Sequence, residues 1–285
     1  MKKVQTDRMV AFIASSVEDV VSYGNASSAP EESAHEEDPA FFASKDWQEH
    51  TQWMRTGYQE GRRIFDKERK GSGIPVGAPV VESFESVYGP AGGSVDMGRF
   101  MAGEPDCMVS HELVEAEGSG DIITILAAGN CHYGVKPVEL ARYGVALAVA
   151  VDLLEANGYR VELLMNYSIE GCSETNNRTL EHVVPVKRSD EPLDVDRVIK
   201  TVVYPGFFRR TVFRAREASW HALGYANTPR SISYGASMLK ASGDLQKLIQ
   251  PNAVLESVIR SPDSSVRNHL RYIFETLDLD LDLSA

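Results

Sequence analysis

The middle of the chain has the most regular pattern of hydrophobic and polar positions. The segments DIITILAA (121–128) and YRVELLMNYSI (159–169) are rich in β-branched and large apolar residues, which is typical of buried strands. Between them, KPVELARYGVALAVAVDLLEANG (136–158) is an apolar run of helical length that ends at a favourable Asn-Gly stop. A strand, a helix and a strand within about 50 residues predict a βαβ unit, and therefore a parallel sheet covered by helices.

The flanking segments carry weaker patterns of the same kinds. Two further strands are predicted, in LEHVVPVKR (180–188) and AVLESVI (253–259). Helices are predicted in LDVDRVIKTVV (193–203) and SSVRNHLRYIFETL (264–277), and one or two helices in the segment 204–230. Residues 45–71 repeat aromatic positions at helical spacing, and residues 71–117 contain the Gly and Pro typical of turns and short strands. We therefore predict an α/β fold with a central, largely parallel or mixed sheet flanked by helices.

Both ends of the chain lack this regularity. Residues 22–40 are rich in Ser, Ala, Pro and Glu without an apolar period, which predicts a flexible acidic arm. The last residues, ETLDLDLDLSA, predict either a frayed terminus or an acidic peptide that docks a partner or competes with nucleic acid. The predicted organisation is an irregular amino-terminal segment and arm (1–45), a single α/β domain (46–276) and an acidic tail (277–285).

Composition restricts the class of protein. The 285 residues are 43% apolar and 25% charged with a net charge of −12, values typical of a globular, acidic protein. No apolar run reaches the ~18 residues of a membrane span, and charges interrupt the amino terminus too early for a signal peptide. We expect neither membrane binding nor export. Three widely spaced cysteines without a CxxC pair favour a reducing cytoplasm over disulfides or a zinc site.

The turn after the first predicted βαβ strand is where a doubly wound fold places a ligand. AAGNCHYGVKP (127–137) contains neither a dinucleotide nor a P-loop motif, and it lacks the acids that a hard cation prefers. Cys131 and His132 are adjacent, so on an extended segment they point in opposite directions; a buried Cys beside a polar His is the alternative to a catalytic pair. The acids near His111 fit a cation site or a solvated turn. We expect no catalytic set, no metal and no cofactor.

The segment YPGFFRRTVFRAREASWHALGYANTPR (204–230) differs from the rest of this acidic chain. From Tyr204 to Lys240 there are five Arg, one Lys, seven aromatic rings and a single acid, Glu217. Cations that contact phosphates and rings that stack on bases predict single-stranded-DNA binding. The predicted interface comprises Arg209, Arg210, Arg214, Arg216, Phe207, Phe213, Trp220 and Tyr225, extended by Arg62, Arg63 and Lys67. Helices with the rings in the core and the cations solvated or paired are the alternative, and both can hold together.

Three stretches together resemble a family of bacteriophage proteins. They are DWQEHTQWMRTGYQEGRRI, GSVDMGRFMAGEPDCMVSHE, and the block that runs from ITILAAGNCHYG to FFRRTVF. The resemblance implies a von Willebrand-A-like or Rossmann-like core without an intact metal motif. The chain is also similar in size, acidity and basic aromatic segment to phage early proteins that bind single-stranded DNA and bring a phage RNA polymerase to melted promoters. In composition, the tail is similar to the acidic tails of bacterial single-stranded-DNA-binding proteins.

These observations lead to a main hypothesis and two rivals. The main hypothesis is a phage-encoded, non-catalytic cofactor of transcription in the host cytoplasm, with single-stranded DNA and phage RNA polymerase as partners; a homo-oligomer is compatible with it. The first rival is a metal-free, von Willebrand-A-like adaptor that scaffolds protein partners through its acidic arm and tail. The second is a hydrolase that uses His111 or His132.

Overall fold

The structure, a computed structural model, describes residues 1–26, 39–73, 82–115, 120–132, 134–170, 177–224, 240–257 and 265–279. The strands are β1 (Lys2–Gln5), β2 (Met9–Ile13), β3 (Glu82–Gly89), β4 (Ser94–Val95), β5 (Met108–Glu115), β6 (Ile122–Ala128), β7 (Arg160–Ile169), β8 (Thr179–Lys187) and β9 (Ala253–Leu255). The helices are α1 (Val17–Asn25), α2 (Pro39–Phe42), α3 (Trp47–Thr56), α4 (Gln59–Gly71), α5 (Met97–Met101), α6 (Pro137–Ala156), α7 (Val195–Val198), α8 (Phe213–Ala222), α9 (Gly243–Ile249) and α10 (Val266–Thr276). Two π-helical segments, Ile199–Val203 and Phe207–Val212, lie before α8.

The main sheet is mixed, in the strand order β1-β2-β8-β7-β6-β9. The predicted βαβ unit is confirmed, because β6 pairs in parallel with β7 and α6 connects them. β8 then turns back antiparallel to β7 and pairs in parallel with β2, while β9 pairs in parallel with the other side of β6. The predicted fold class, an α/β fold with a mixed sheet flanked by helices, is confirmed.

Helix α6 is apolar along nearly its whole length because it packs on several sides. It lies against β7, α4, α10 and the first π-helical segment, so its hydrophobic residues are not restricted to one stripe. Pro137 occupies its first turn, and the Glu139 carboxylate accepts a hydrogen bond from the Lys136 backbone N–H at 2.7 Å. Among the described helices, none combines the length and the hydropathy needed to cross a bilayer.

The predicted boundary at residue 46 is wrong, because the amino-terminal residues belong to the main sheet. β2 pairs with β8 from Met9↔Thr179 to Ile13↔Val183, and α1 packs on α8. This pairing joins residues about 170 positions apart, so the five-residue run MVAFI carries no local signal of it. Most of the predicted arm (27–38) and the end of the tail (280–285) lie outside the described residues, whereas Leu277 and Leu279 pack against the core.

Residues 82–115 form a second, three-stranded antiparallel sheet in the order β3-β5-β4, with α5 between β4 and β5. The sequence predicted turns and short strands over this region. Strands are confirmed there, but β3 and β5 are eight residues long and therefore longer than predicted. The sheet is hydrogen-bonded separately from the main one. It therefore presents α5 on a framework of its own.

Candidate functional site

Most of the predicted DNA-binding side chains are buried. Six of them are between 0% and 5% exposed: Arg209, Arg210, Arg216, Phe207, Phe213 and Trp220. A ring inside the core cannot stack on a base, and an enclosed guanidinium cannot reach a phosphate, so the prediction that these six form an open surface is wrong. Arg214 is partly exposed and pairs with Glu217 at 3.4 Å. Tyr225 lies outside the described residues.

The predicted extension of that surface lies on α4. Arg62 forms ion pairs with Asp66 at 3.4 Å and with Asp196 at 2.6 Å, so its charge is already used. Arg63 and Lys67 are exposed. The structure thus does not join these cations to an open arginine surface in the segment 204–222.

Two of the buried arginines fasten the segment 39–44 to the core. Nη1 of Arg209 donates to the carbonyl oxygen of Phe41 at 2.6 Å, and its guanidinium lies 4.3 Å from the Phe41 ring centre. Nε of Arg210 donates to Oγ of Ser44 at 3.0 Å, and its guanidinium lies 4.0 Å from the ring centre of Phe42. Hydrogen bonds and cation–π contacts in a dry interior stabilise this arrangement. The cationic, aromatic composition that predicted DNA binding serves packing here.

The third buried arginine occupies the carboxyl edge of the sheet, where α/β folds usually bind ligands. Nη2 of Arg216 donates to Oδ1 of Asn130 at 2.8 Å, and the Asn130 amide donates to the carbonyl oxygen of Ser168 at 2.7 Å. Burial lowers the pKa of Arg216 to about 9, which leaves it charged at neutral pH. The crevice that the sequence predicted after β6 therefore contains an internal guanidinium.

The surroundings of Cys131 do not favour a catalytic pair with the adjacent His132. Burial raises the pKa of the Cys131 thiol, which is the opposite of the activation that a nucleophile needs. Nδ1 of His132 accepts a hydrogen bond from the Gly134 backbone N–H at 3.2 Å. The side chain of His111 lies outside the described residues, and those that are described contain no group of three His, Cys, Asp or Glu placed to hold a metal ion.

A buried histidine that sequence reasoning missed lies on α3. Nδ1 of His50 is 2.8 Å from the Tyr204 hydroxyl, and Nε2 is 2.9 Å from Oγ1 of Thr211. Burial and the nearby Arg210 lower the pKa of His50 to about 3, so the ring is neutral. The sequence did contain a signal, because His50 falls on the same helical face as the apolar Met54. A cavity of about 260 Å³ lies beside this ring.

The clearest open surface in the described residues is apolar rather than basic. Met97, Phe100 and Met101 of α5 are 63%, 58% and 78% exposed, at the i, i+3 and i+4 positions that share one helical face. We call these three residues the α5 patch. Sequence reasoning missed it because the short segment DMGRFM lies in a region rich in Gly and Pro. Its signal was three large apolar residues within five positions.

Comparisons with known proteins identify a family but no activity. No curated protein and no solved structure matches the chain. A family model described as "Domain of unknown function (DUF7192)" matches residues 4–281, which include α10 and both sheets except the first two residues of β1. The chain therefore belongs to the DUF7192 family.

Proposed function

We propose that the protein is a non-catalytic adaptor that binds a partner protein through the α5 patch. Its proposed place of action is the cytoplasm of a phage-infected host. The free thiols of Cys107 and Cys131 support a reducing compartment, and the phage host rests on the sequence resemblance alone. The single observation that carries the adaptor function is the exposure of three large apolar side chains on one helical face. This proposal keeps the adaptor hypothesis but moves the docking surface from the acidic ends to α5.

The chemistry of the α5 patch supports protein binding. Contiguous apolar surface on a folded protein is typical of interaction sites, and methionine is common where a surface must adapt to its partner. Burying a Met or Phe side chain in an interface contributes roughly 1.5–3 kcal/mol each. Phe100 between two methionines therefore provides one aromatic anchor with adaptable neighbours.

The patch is also held in place before any partner binds. Oδ1 of Asp96 accepts hydrogen bonds from the backbone N–H groups of Gly98 at 2.9 Å and Arg99 at 3.1 Å, which caps α5. The Arg99 guanidinium lies 3.9 Å from the ring centre of Tyr88 on β3 and pairs with Glu104 at 3.3 Å. A preorganised surface loses less conformational entropy on binding.

The test starts from a photo-crosslinking amino acid at Met97, which identifies a partner that is then purified. Its affinity is measured by biolayer interferometry for the wild type, Phe100→Glu, Met101→Glu and the control Leu248→Glu, an exposed apolar residue on α9. Because Phe100 is the proposed anchor of the interface, Phe100→Glu is expected to lower the affinity at least about tenfold. The control is expected to leave the affinity unchanged. Equal affinities for all four proteins contradict the proposal. Chromatography with light scattering tests for self-association. If the wild type is a dimer and Phe100→Glu dissociates it, the partner is a second copy of the chain instead.

A second candidate is binding of single-stranded DNA with recruitment of a phage RNA polymerase, and one observation favours its DNA-binding part. Arg63, Lys67 and Lys70 are exposed at the i, i+4 and i+7 positions of α4, so they form a row along one face. Within the described residues, none of the three forms an ion pair. Such a row could follow the phosphates of a single strand without base stacking.

Fluorescence anisotropy of a labelled single strand of ~30 nucleotides across a salt series tests this candidate. Each lost phosphate contact is expected to reduce the salt slope by roughly 0.7, so replacing Arg63, Lys67 and Lys70 with Gln removes about 2. The control replaces the exposed Lys2 and Lys3 and keeps most of the slope. A wild-type affinity that does not change with salt contradicts DNA binding.

A further inference from the structure

A cavity of about 260 Å³ opens between α1, α3 and the segment 207–222. α1 approaches α8 closely because Gly24 has no side chain: a Cβ there would lie 3.2 Å from Cγ of Arg214 and 3.3 Å from the backbone nitrogen of Ala215. The cavity shares no residue with the α5 patch or with the exposed cations of α4. It is therefore a separate candidate site.

Apolar side chains and hydroxyl groups both line the cavity. Val21, Trp47 and Met54 supply apolar surface, and Ser22 and Thr51 supply hydroxyl groups. An apolar cavity of about 150 Å³ is large enough to bind benzene. The volume beside α3 therefore has room for an aromatic ring that carries a short substituent.

His50 shapes the cavity but offers no free polar position to a ligand. Its two ring nitrogens lie 2.8 Å from the Tyr204 hydroxyl and 2.9 Å from Oγ1 of Thr211. An imidazole has two polar atoms, and both are used. Ligand recognition must come from the other lining residues.

One charged group of the lining has no partner among the described residues. Arg55 is exposed, and it has no hydrogen bond or ion pair within that part of the chain. Its guanidinium donates hydrogen bonds and does not accept them. The indole nitrogen of Trp47 also has no acceptor, but protein atoms enclose it, so Arg55 is the donor that a ligand in the cavity can reach.

The remaining charges of the lining already have partners. Arg214 pairs with Glu217 at 3.4 Å, and Glu18 lies 3.9 Å from Nζ of Lys200. The uncommitted charge at the cavity is therefore the positive charge of Arg55. A cation beside apolar walls favours an anion with acceptor oxygens over an amine.

We infer that this cavity binds a small carboxylate with an aromatic body. The ring would pack against Val21, Trp47 and Met54. The carboxylate would accept hydrogen bonds from the Arg55 guanidinium. This site does not depend on the adaptor function, because the α5 patch contributes none of its residues.

Nuclear magnetic resonance of the ¹⁵N-labelled full chain tests the inference through the indole N–H signals of its three tryptophans. Trp47→Phe identifies the signal of Trp47. The probes are phenylacetate, its neutral analogue phenylacetamide and the amine phenethylamine, each added to ~10 mM because single-ring ligands bind weakly. Phenylacetate is expected to shift the Trp47 signal because its ring packs against the indole.

Two matched variants separate the role of Arg55 from general charge. Arg55→Gln is expected to lower the affinity for phenylacetate about fivefold, which is the effect of losing one partly exposed ion pair. The affinity for phenylacetamide is expected to change less than about twofold. The control Arg63→Gln, on the outer face of α4, leaves both affinities unchanged. The inference is overturned if no probe moves the Trp47 signal, if the amine binds more tightly than the acid, or if the two variants behave alike.

Discussion

Replacing His50 is expected to change how the free energy of unfolding depends on pH. The unfolded chain has an ordinary histidine pKa of 6.5, whereas burial lowers the pKa of His50 in the native state to about 3. Between these values the unfolded chain binds a proton that the native protein does not bind. The free energy of unfolding therefore falls as the pH falls from about 6.5 towards 3.

The size of the effect follows from the two pKa values. Below pH 6.5 one such histidine lowers the free energy of unfolding by ~1.4 kcal/mol per pH unit, which makes ~2 kcal/mol between pH 8 and pH 5. Burial also lowers the pKa of His182 to about 3, so the two together remove ~4 kcal/mol. Asp19 and Glu191 have lowered pKa values in the native state. Their contribution to the free energy of unfolding is lost mostly below their ordinary pKa values of 3.8 and 4.5. The interval from pH 7 to pH 5 thus reports mainly the histidines.

Urea unfolding followed by circular dichroism at half-unit steps from pH 8 to pH 5 measures this dependence. His50→Gln is expected to be less stable at pH 8, because a hydrogen bond is lost, but to lose ~2 kcal/mol less than the wild type by pH 5. Thr211→Val is the matched control: it removes the partner of Nε2 but no titrating group, so it lowers the whole curve without changing its slope. Parallel curves for the wild type and His50→Gln would refute the reasoning.

Three further predictions concern stability, each measured by urea unfolding at pH 7.5. Gly129→Ala is expected to cost about 1–3 kcal/mol, because its Cβ would lie 2.3 Å from Cε1 of the buried Tyr167; an unchanged midpoint would contradict this packing. Lys187→Met is expected to lower the free energy of unfolding by about 3 kcal/mol, because buried Nζ donates to two carbonyl oxygens and pairs with Glu155. A gain in stability would contradict this and show that an apolar side chain can replace the buried charge. Arg209→Ala is expected to destabilise by about 2–4 kcal/mol, whereas an open DNA-binding arginine would leave the midpoint unchanged.

The candidate sites were less predictable than the fold. Arg209, Arg210 and Arg216 were recognised as unusual, but their role depends on carbonyl oxygens and rings supplied by distant residues such as Phe41 and Asn130. The sequence shows the same local excess of arginine over acidic residues whether the guanidinium groups face solvent or the core. The exposure of the α5 patch was equally invisible, because a Met or Phe is buried in most contexts and only the surrounding structure leaves it open.

The sequence by itself determined the βαβ unit of β6, α6 and β7, the strand β8 and the final helix. These elements are long and strongly patterned, so local hydrophobic periodicity suffices to define them. Only the tertiary structure decided that β2 joins β8, that the segment 204–222 is buried, and that α5 is open. Each of these depends on contacts between residues far apart in the chain, which no window of neighbouring residues encodes.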